Sequence, residues 1–145
     1  MPEFKTEKGF QKSMIHNVIT RLPRQLFCSS GVGAMNIGFK VGAAVKQFGY
    51  IEGFPDNFVY EPQGGFHGLG LELKLENGTQ SKAQKDWEEA LTARGYAYLI
   101  ARSFGEAWDI VHDWQAKAEA EHGPLMGSGQ IRRASKARKP KGKGW

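Results

Sequence analysis

Gly68-Leu69-Gly70-Leu71-Glu72-Leu73-Lys74-Leu75 is the stretch that decides how this chain folds. Leucine alternates with other residues through all eight positions, which is the period of a β-strand with one face in the core. Leu69, Leu71, Leu73 and Leu75 fall on one face, and Gly68, Gly70, Glu72 and Lys74 on the other. The expectation is a bare second face that carries a carboxylate beside an ammonium. Its two glycines would leave room for another backbone to approach. Asp56 stands upstream, in Gly53-Phe54-Pro55-Asp56.

Working outward, Pro62-Gln63-Gly64-Gly65 reads as the turn that joins this strand to a preceding one over Asn57 to Tyr60. Downstream, Asn77-Gly78 is a turn signal, and Ser81-Lys82-Ala83-Gln84 has the spacing of a helix capping box. The helix it opens has a buried stripe of Ala83, Trp87, Ala90 and Leu91, and Gly95 stops it. Tyr96 to Ala101 is apolar throughout, as expected of a strand covered on both faces. Ser103-Phe104-Gly105-Glu106 repeats the capping spacing before a stripe of Phe104, Ala107, Trp108, Val111 and Trp114 that runs to about Glu121. At the other end, Phe10, Met14, Ile15, Val18 and Leu22 predict an amphipathic helix over about 7–21, stopped near Pro23. A short strand over Leu26 to Ser29, a glycine-rich segment from Gly31 to Gly42 and a short helix over Ala43 to Phe48 complete the order. The sum is an α/β sandwich around one mixed sheet, with no internal repeat.

The chain has 145 residues, enough for one domain with a proper core, and its 40% hydrophobic and 24% charged content is ordinary for a globular protein. No apolar run approaches the roughly 18–20 residues of a membrane span. Met1 to Lys8 has no apolar core of a secretory leader, and the single Cys28 excludes an intramolecular disulfide, so the expected location is the cytoplasm. The net charge of +5 is uneven: Arg132, Arg133, Lys136, Arg138, Lys139, Lys141 and Lys143 cluster with no acid among them. That leaves 13 basic against 15 acidic residues elsewhere, a slightly acidic body. Such a tail either attracts a polyanion such as nucleic acid or is a solvated end. Residues 123–145 are read as a flexible basic tail and 1–122 as the folded domain.

Asp56, Glu72 and Lys74 together suit phosphodiester hydrolysis. Mg²⁺ takes hard oxygen ligands, usually one or two carboxylates with water and phosphate filling the rest. Asp56 and Glu72 supply two if their strands are adjacent, and the Leu73 backbone carbonyl lies at the same point of the strand. Lys74, on the face of Glu72, can hold an attacking water or offset developing charge. The alternative is a solvated ion pair on an exposed strand. Other candidates carry less: Gly31-Val32-Gly33 lacks the spacing of a P-loop, and His16, His67, His112 and His122 with Cys28 lack zinc-ligand spacing. Trp87, Trp108 and Trp114 sit on helical stripes and read as core.

These motifs resemble a family. Gly53 to Asp56, then Gly65 to Lys74, then Gly78 to Gln84 are similar to the VRR-NUC branch of the PD-(D/E)XK nucleases, and the likeness spans about residues 40–115. It implies a restriction-endonuclease-like mixed β-sheet flanked by helices, and DNA cleavage that depends on Mg²⁺ or Mn²⁺. Asp56 and Glu72 would be metal ligands, Lys74 the catalytic lysine, and Gln84 a glutamine facing the site; Gln84 can equally cap its own helix. The N-terminal helix of such proteins offers an acid and a glutamine, places that Glu7 and Gln11 fit at i, i+4, with Glu3 competing for the first. Glu7 is then a further candidate for the metal. Gln11, Ser29, Ser30, Asn36 and Lys40 become candidate DNA contacts, together with Arg132, Arg133, Lys136, Arg138 and Lys139 of the tail. Residues 28–40 depart from the family pattern. Stand-alone members resemble Holliday-junction resolvases and act as dimers, which implies a homodimer that cuts Holliday junctions, flaps or other branched DNA. The expected setting is therefore a bacterial or phage-infected cell. The rival readings are an inactive nuclease fold that only binds DNA, and a restriction-type or RNA nuclease with the same triad.

Overall fold

The computed structural model describes residues 5–21, 27–29, 47 and 49–124, with three helices and four strands among them. In chain order they are α1 (Glu7–Arg21), β1 (Phe27–Ser29), β2 (Asn57–Val59), β3 (Leu69–Leu73), α2 (Lys82–Ala93), β4 (Ala97–Ala101) and α3 (Phe104–His122). The expected short helix over 43–48 lies outside the described residues, as does the basic tail beyond 124. The strands form one mixed sheet in the order β1-β2-β3-β4. β1–β2 and β2–β3 pair antiparallel, while β3 and β4 run parallel because α2 carries the chain back between them.

The leucine face of β3 builds the core. Leu69, Leu71 and Leu73 are fully buried, and Leu71 and Leu73 pack with Phe10 and Met14 of α1, Ala101 of β4, and Ala107 and Val111 of α3. Each leucine removed from water contributes roughly 1.5–3 kcal/mol. Leu69 joins Val59 and Trp114 in a neighbouring cluster, and the Trp114 indole N–H donates to the Glu61 carbonyl at 2.8 Å. α1 and α3 therefore cover one face of the sheet, and α2 lies on the other.

Three expectations are corrected here. β3 is shorter than the leucine ladder, yet Lys74 continues its pairing through an N–H donated to the Ala101 carbonyl at 2.9 Å. The second face of β3 is not bare: Gly70, Glu72 and Lys74 are all buried. A Cβ on Gly70 would stand 3.0 Å from Pro55 Cγ, 3.3 Å from the Tyr98 ring and 3.4 Å from Leu91 of α2. The glycines therefore make room for the protein's own rings and helix, not for a nucleic-acid backbone. β4 is not covered on both faces either; it ends the sheet among the described strands, and Leu99 is 41% exposed.

α2 also differs from its predicted stripe. None of its residues is fully buried, Ala90 is exposed, and Trp87 is half-buried with its ring edge-on to Phe54 at 5.0 Å. Its start matches the sequence reading: Ser81 Oγ accepts from Gln84 N at 3.2 Å and Gln84 Oε1 accepts from Ser81 N at 2.9 Å. Trp108 too is half-buried, stacked on Phe104, so only Trp114 of the three tryptophans is core.

Candidate active site

The site forms where β2 and β3 stop pairing. Their register matches Asn57 with Leu71. Continued by two residues, it sets Pro55 opposite Leu73. Proline has no N–H, so the ladder ends there and cannot supply a donor to the Leu73 carbonyl. At the same point the Asp56 side chain, not the β2 main chain, partners β3: its Oδ2 accepts from Leu73 N at 2.9 Å. In an antiparallel strand the N–H and C=O of one residue point the same way. The Leu73 carbonyl therefore faces the side on which Asp56 sits.

The loop before Asp56 is held against α2. Gly53 has φ +87°, and a Cβ there would lie 2.5 Å from the Ala83 carbonyl carbon. Only glycine meets both demands. The Trp87 indole N–H donates to the Glu52 carbonyl at 3.1 Å and closes the same contact.

Glu72 is 1% exposed and Lys74 6%. Lys74 Nζ lies 3.1 Å from Glu72 Oε1 and 3.7 Å from Glu7 Oε1 of α1. A solvated pair on an open strand is thereby excluded. A buried ion pair adds little stability, because desolvation offsets its attraction. Glu72 Oε1 also accepts from Gln84 Nε2 at 2.5 Å. Gln84 thus caps α2 with its oxygen and holds Glu72 with its nitrogen. Tyr98, which pairs with Gly70 across β3–β4, brings a phenol close enough to Glu72 for the carboxylate's charge, after burial, to raise its pKa.

Burial pushes the Glu72 carboxyl up to about 7, helped by the Asp56 carboxylate and opposed by Lys74. Burial likewise raises Asp56, while the Leu73 N–H and Lys74 pull it down. Two carboxyls that resist ionisation beside each other are suited to a cation. Glu72 Oε2 is buried, Oε1 holds Gln84 and Lys74, and the Asp56 N–H also approaches the carboxylate and lowers its pKa. No group of three or more His, Cys, Asp or Glu side chains gathers to hold a metal among the described residues. Mg²⁺ does not require one, because two carboxylates and a carbonyl leave positions for water and phosphate. Asp56, Glu72 Oε2 and the Leu73 carbonyl are the hard oxygen donors from which such a set would be drawn.

The remaining candidates are placed unevenly. Glu7 reaches the site through Lys74. Gln11 is only 4% exposed and points inward, donating from Nε2 to the Asp56 carbonyl at 3.1 Å and to Asn57 Oδ1 at 2.9 Å. Ser30, Asn36, Lys40, Arg132, Arg133, Lys136, Arg138 and Lys139 lie outside the described residues, and of Ser29 only the backbone in β1 is described. Sequence reasoning missed two residues. Asn57 is fully buried and returns a hydrogen bond to Gln11 Oε1 at 3.0 Å. Arg102 donates from Nη1 to the carbonyls of Leu75, Glu76 and Gly78 at 3.1, 3.1 and 2.8 Å and so shapes the turn that leaves Lys74. Asn57 had a signal, since an amide beside Asp56 at the start of an apolar strand is out of place.

No protein-family model matches the chain, and no curated protein matches it. Among solved structures, one titled "VRR_NUC domain protein" superposes with a TM-score of 0.62 at 21% identity, over 80% of this chain and 93% of that chain. This protein therefore has the fold of a VRR_NUC domain protein.

Proposed function

We propose that the chain is a divalent-cation-dependent nuclease of the VRR-NUC kind, with Asp56, Glu72, Lys74 and Gln84 as its working residues. The observation that carries this is the burial of Lys74 against Glu72 at 3.1 Å, with Asp56 tied to the intervening Leu73. A motif kept for stability has little reason to bury two carboxyls and an ammonium at one strand end.

Asp56, Glu72 and the Leu73 carbonyl would hold Mg²⁺ or Mn²⁺. Bound there, the ion would neutralise the scissile phosphate and lower the pKa of a water. Lys74 has its own task. Its ammonium, fixed by Glu72, orients the attacking water or offsets charge as the phosphate becomes five-coordinate. Gln84 holds Glu72 Oε1, so that Oε2 is the oxygen left for the cation. Cleavage that leaves 5′-phosphate and 3′-hydroxyl ends is the outcome the family likeness supports.

For substrate, the reading is branched DNA such as a Holliday junction or flap, cut by a homodimer because two opposed strands must be broken. The support is the family likeness, with residues 1–122 as the nuclease body and the basic tail at 123–145 as a backbone contact. The test is cleavage of branched DNA in Mg²⁺ by wild type, Lys74→Ala and Asp56→Asn. Both variants should lose at least about a hundredfold in rate. Wild-type rates in either overturn the assignment.

A further inference from the structure

Asp56 is held from two sides. Its carboxylate is tied to β3 by the Leu73 N–H at 2.9 Å, and its backbone carbonyl is tied to α1 by Gln11 Nε2 at 3.1 Å. Gln11 could not do this alone, because a long amide buried between a helix and a sheet needs its own orientation fixed. Asn57 supplies that. The two side chains exchange hydrogen bonds of 2.9 and 3.0 Å, and a backbone carbonyl only accepts, so the Asp56 carbonyl sets which end of Gln11 is the nitrogen. Strand alternation turns Asn57 away from Asp56 and Phe58, onto the face where α1 lies. It is completely buried there, in a three-residue strand otherwise apolar.

We propose that Asn57 is a positioning residue that, through Gln11, makes the docking of α1 a condition for cation binding at Asp56. The inference rests on the nuclease reading above, because it takes Asp56 as a cation ligand. α1 buries two large apolar side chains completely, Phe10 and Met14, and the amide pair lies on the turn beside them. One helical turn earlier, Glu7 approaches Lys74 at 3.7 Å. α1 therefore touches the site twice on one face, and it is Gln11, oriented by Asn57, that reaches the main chain of a proposed ligand. With the pair intact, Asp56 is presented to the cation with its backbone fixed. Without it, the Asp56 main chain loses its tie to α1 and its carboxylate has a wider range of positions. Supporting partners of metal ligands change affinity by about 10–100-fold when removed. Coupling is reciprocal: if docked α1 favours the cation, the cation favours docked α1.

The experiment has two arms. In the first, the apolar pair Gln11→Met with Asn57→Leu is compared with the exchanged pair Gln11→Asn with Asn57→Gln. Cleavage of a DNA junction is followed over a Mn²⁺ titration, with circular dichroism as the check on folding. The apolar pair should raise the Mn²⁺ midpoint about tenfold or more while the rate at saturating Mn²⁺ stays within a few-fold of wild type. The exchanged pair should recover most of that loss. A folded apolar pair with an unchanged midpoint overturns the proposal, as does a loss of saturating rate alone.

The second arm uses the wild-type protein, so it stands even if the apolar pair fails to fold. Amide hydrogen exchange across Glu7–Arg21 should slow when Mn²⁺ is added. Identical exchange with and without Mn²⁺ refutes the coupling. A wild-type protein that cleaves DNA in Mn²⁺ and fails either arm sinks this inference alone. One that neither cleaves nor binds Mn²⁺ sinks the nuclease reading, and this inference with it.

Discussion

Raising the pH of the cation-free protein from 5 to 8 should destabilise it, and Glu72 is the reason. Burial lifts its carboxyl from 4.5 to about 7 in the folded chain. A proton is thus held more tightly in the folded state than in the unfolded one between those values. The contribution is fully present below about 4.5, is lost as pH rises toward 7, and levels off above it. The size of this shift corresponds to roughly 3 kcal/mol. For a domain of this size that is on the order of 10 °C in Tm. Asp56 is raised too and adds to the same trend. The assay is thermal unfolding by circular dichroism from pH 5 to 8 in chelator, for wild type and Glu72→Gln. Wild-type Tm should fall across this window, and the fall should be much shallower in Glu72→Gln. Millimolar Mg²⁺ should restore Tm above pH 7 in wild type alone, because binding displaces the proton. A wild-type Tm that is flat or rises with pH, or a Glu72→Gln protein that tracks it, would refute the reasoning.

Other consequences concern neighbouring residues. Lys74→Met removes the buried cation that opposes the rise in the Glu72 pKa, so it should destabilise the protein more at pH 8 than at pH 5; unfolding in urea at both pH values reads the difference. Gly53→Ala should cost at least about 2 kcal/mol, because the new methyl meets the Ala83 backbone and the φ of +87° is strained for alanine. Urea midpoints within error of wild type would mean the loop does not rest on α2. Deleting residues 126–145 should weaken DNA binding and make its salt dependence shallower, by up to about the seven tail cations. An unchanged salt slope would show the tail to be passive.

Much of this fold is legible in the sequence because its signals are local. The Leu69-Leu71-Leu73 alternation, the reciprocal cap of Ser81 and Gln84 and the period of Phe10 and Met14 each specify an element through residues a few positions apart. The convergence of Asp56 and Glu72 follows as soon as β2 and β3 are taken as a hairpin. What the sequence hides depends on contacts between distant elements. Alternation shows that Gly70 and Glu72 share a face, but not that α2, Pro55 and Tyr98 cover it, so the face reads as open when it is closed. The apolar run of β4 suggests two covered faces, yet β4 ends the sheet among the described strands and Leu99 is exposed. The role of Asn57 becomes visible only with its partner Gln11 of α1, 46 residues away.

The central claim, that Asp56, Glu72 and Lys74 form a cation-dependent nuclease site, is tested most directly by one cleavage panel. Linear, flap and four-way-junction DNA are incubated with the wild-type protein in Mg²⁺ or Mn²⁺, with and without chelator. The account predicts phosphodiester cleavage that favours branched substrates and stops when the cation is removed. Cleavage that persists undiminished in chelator, or no cleavage of any DNA in either cation, would contradict it.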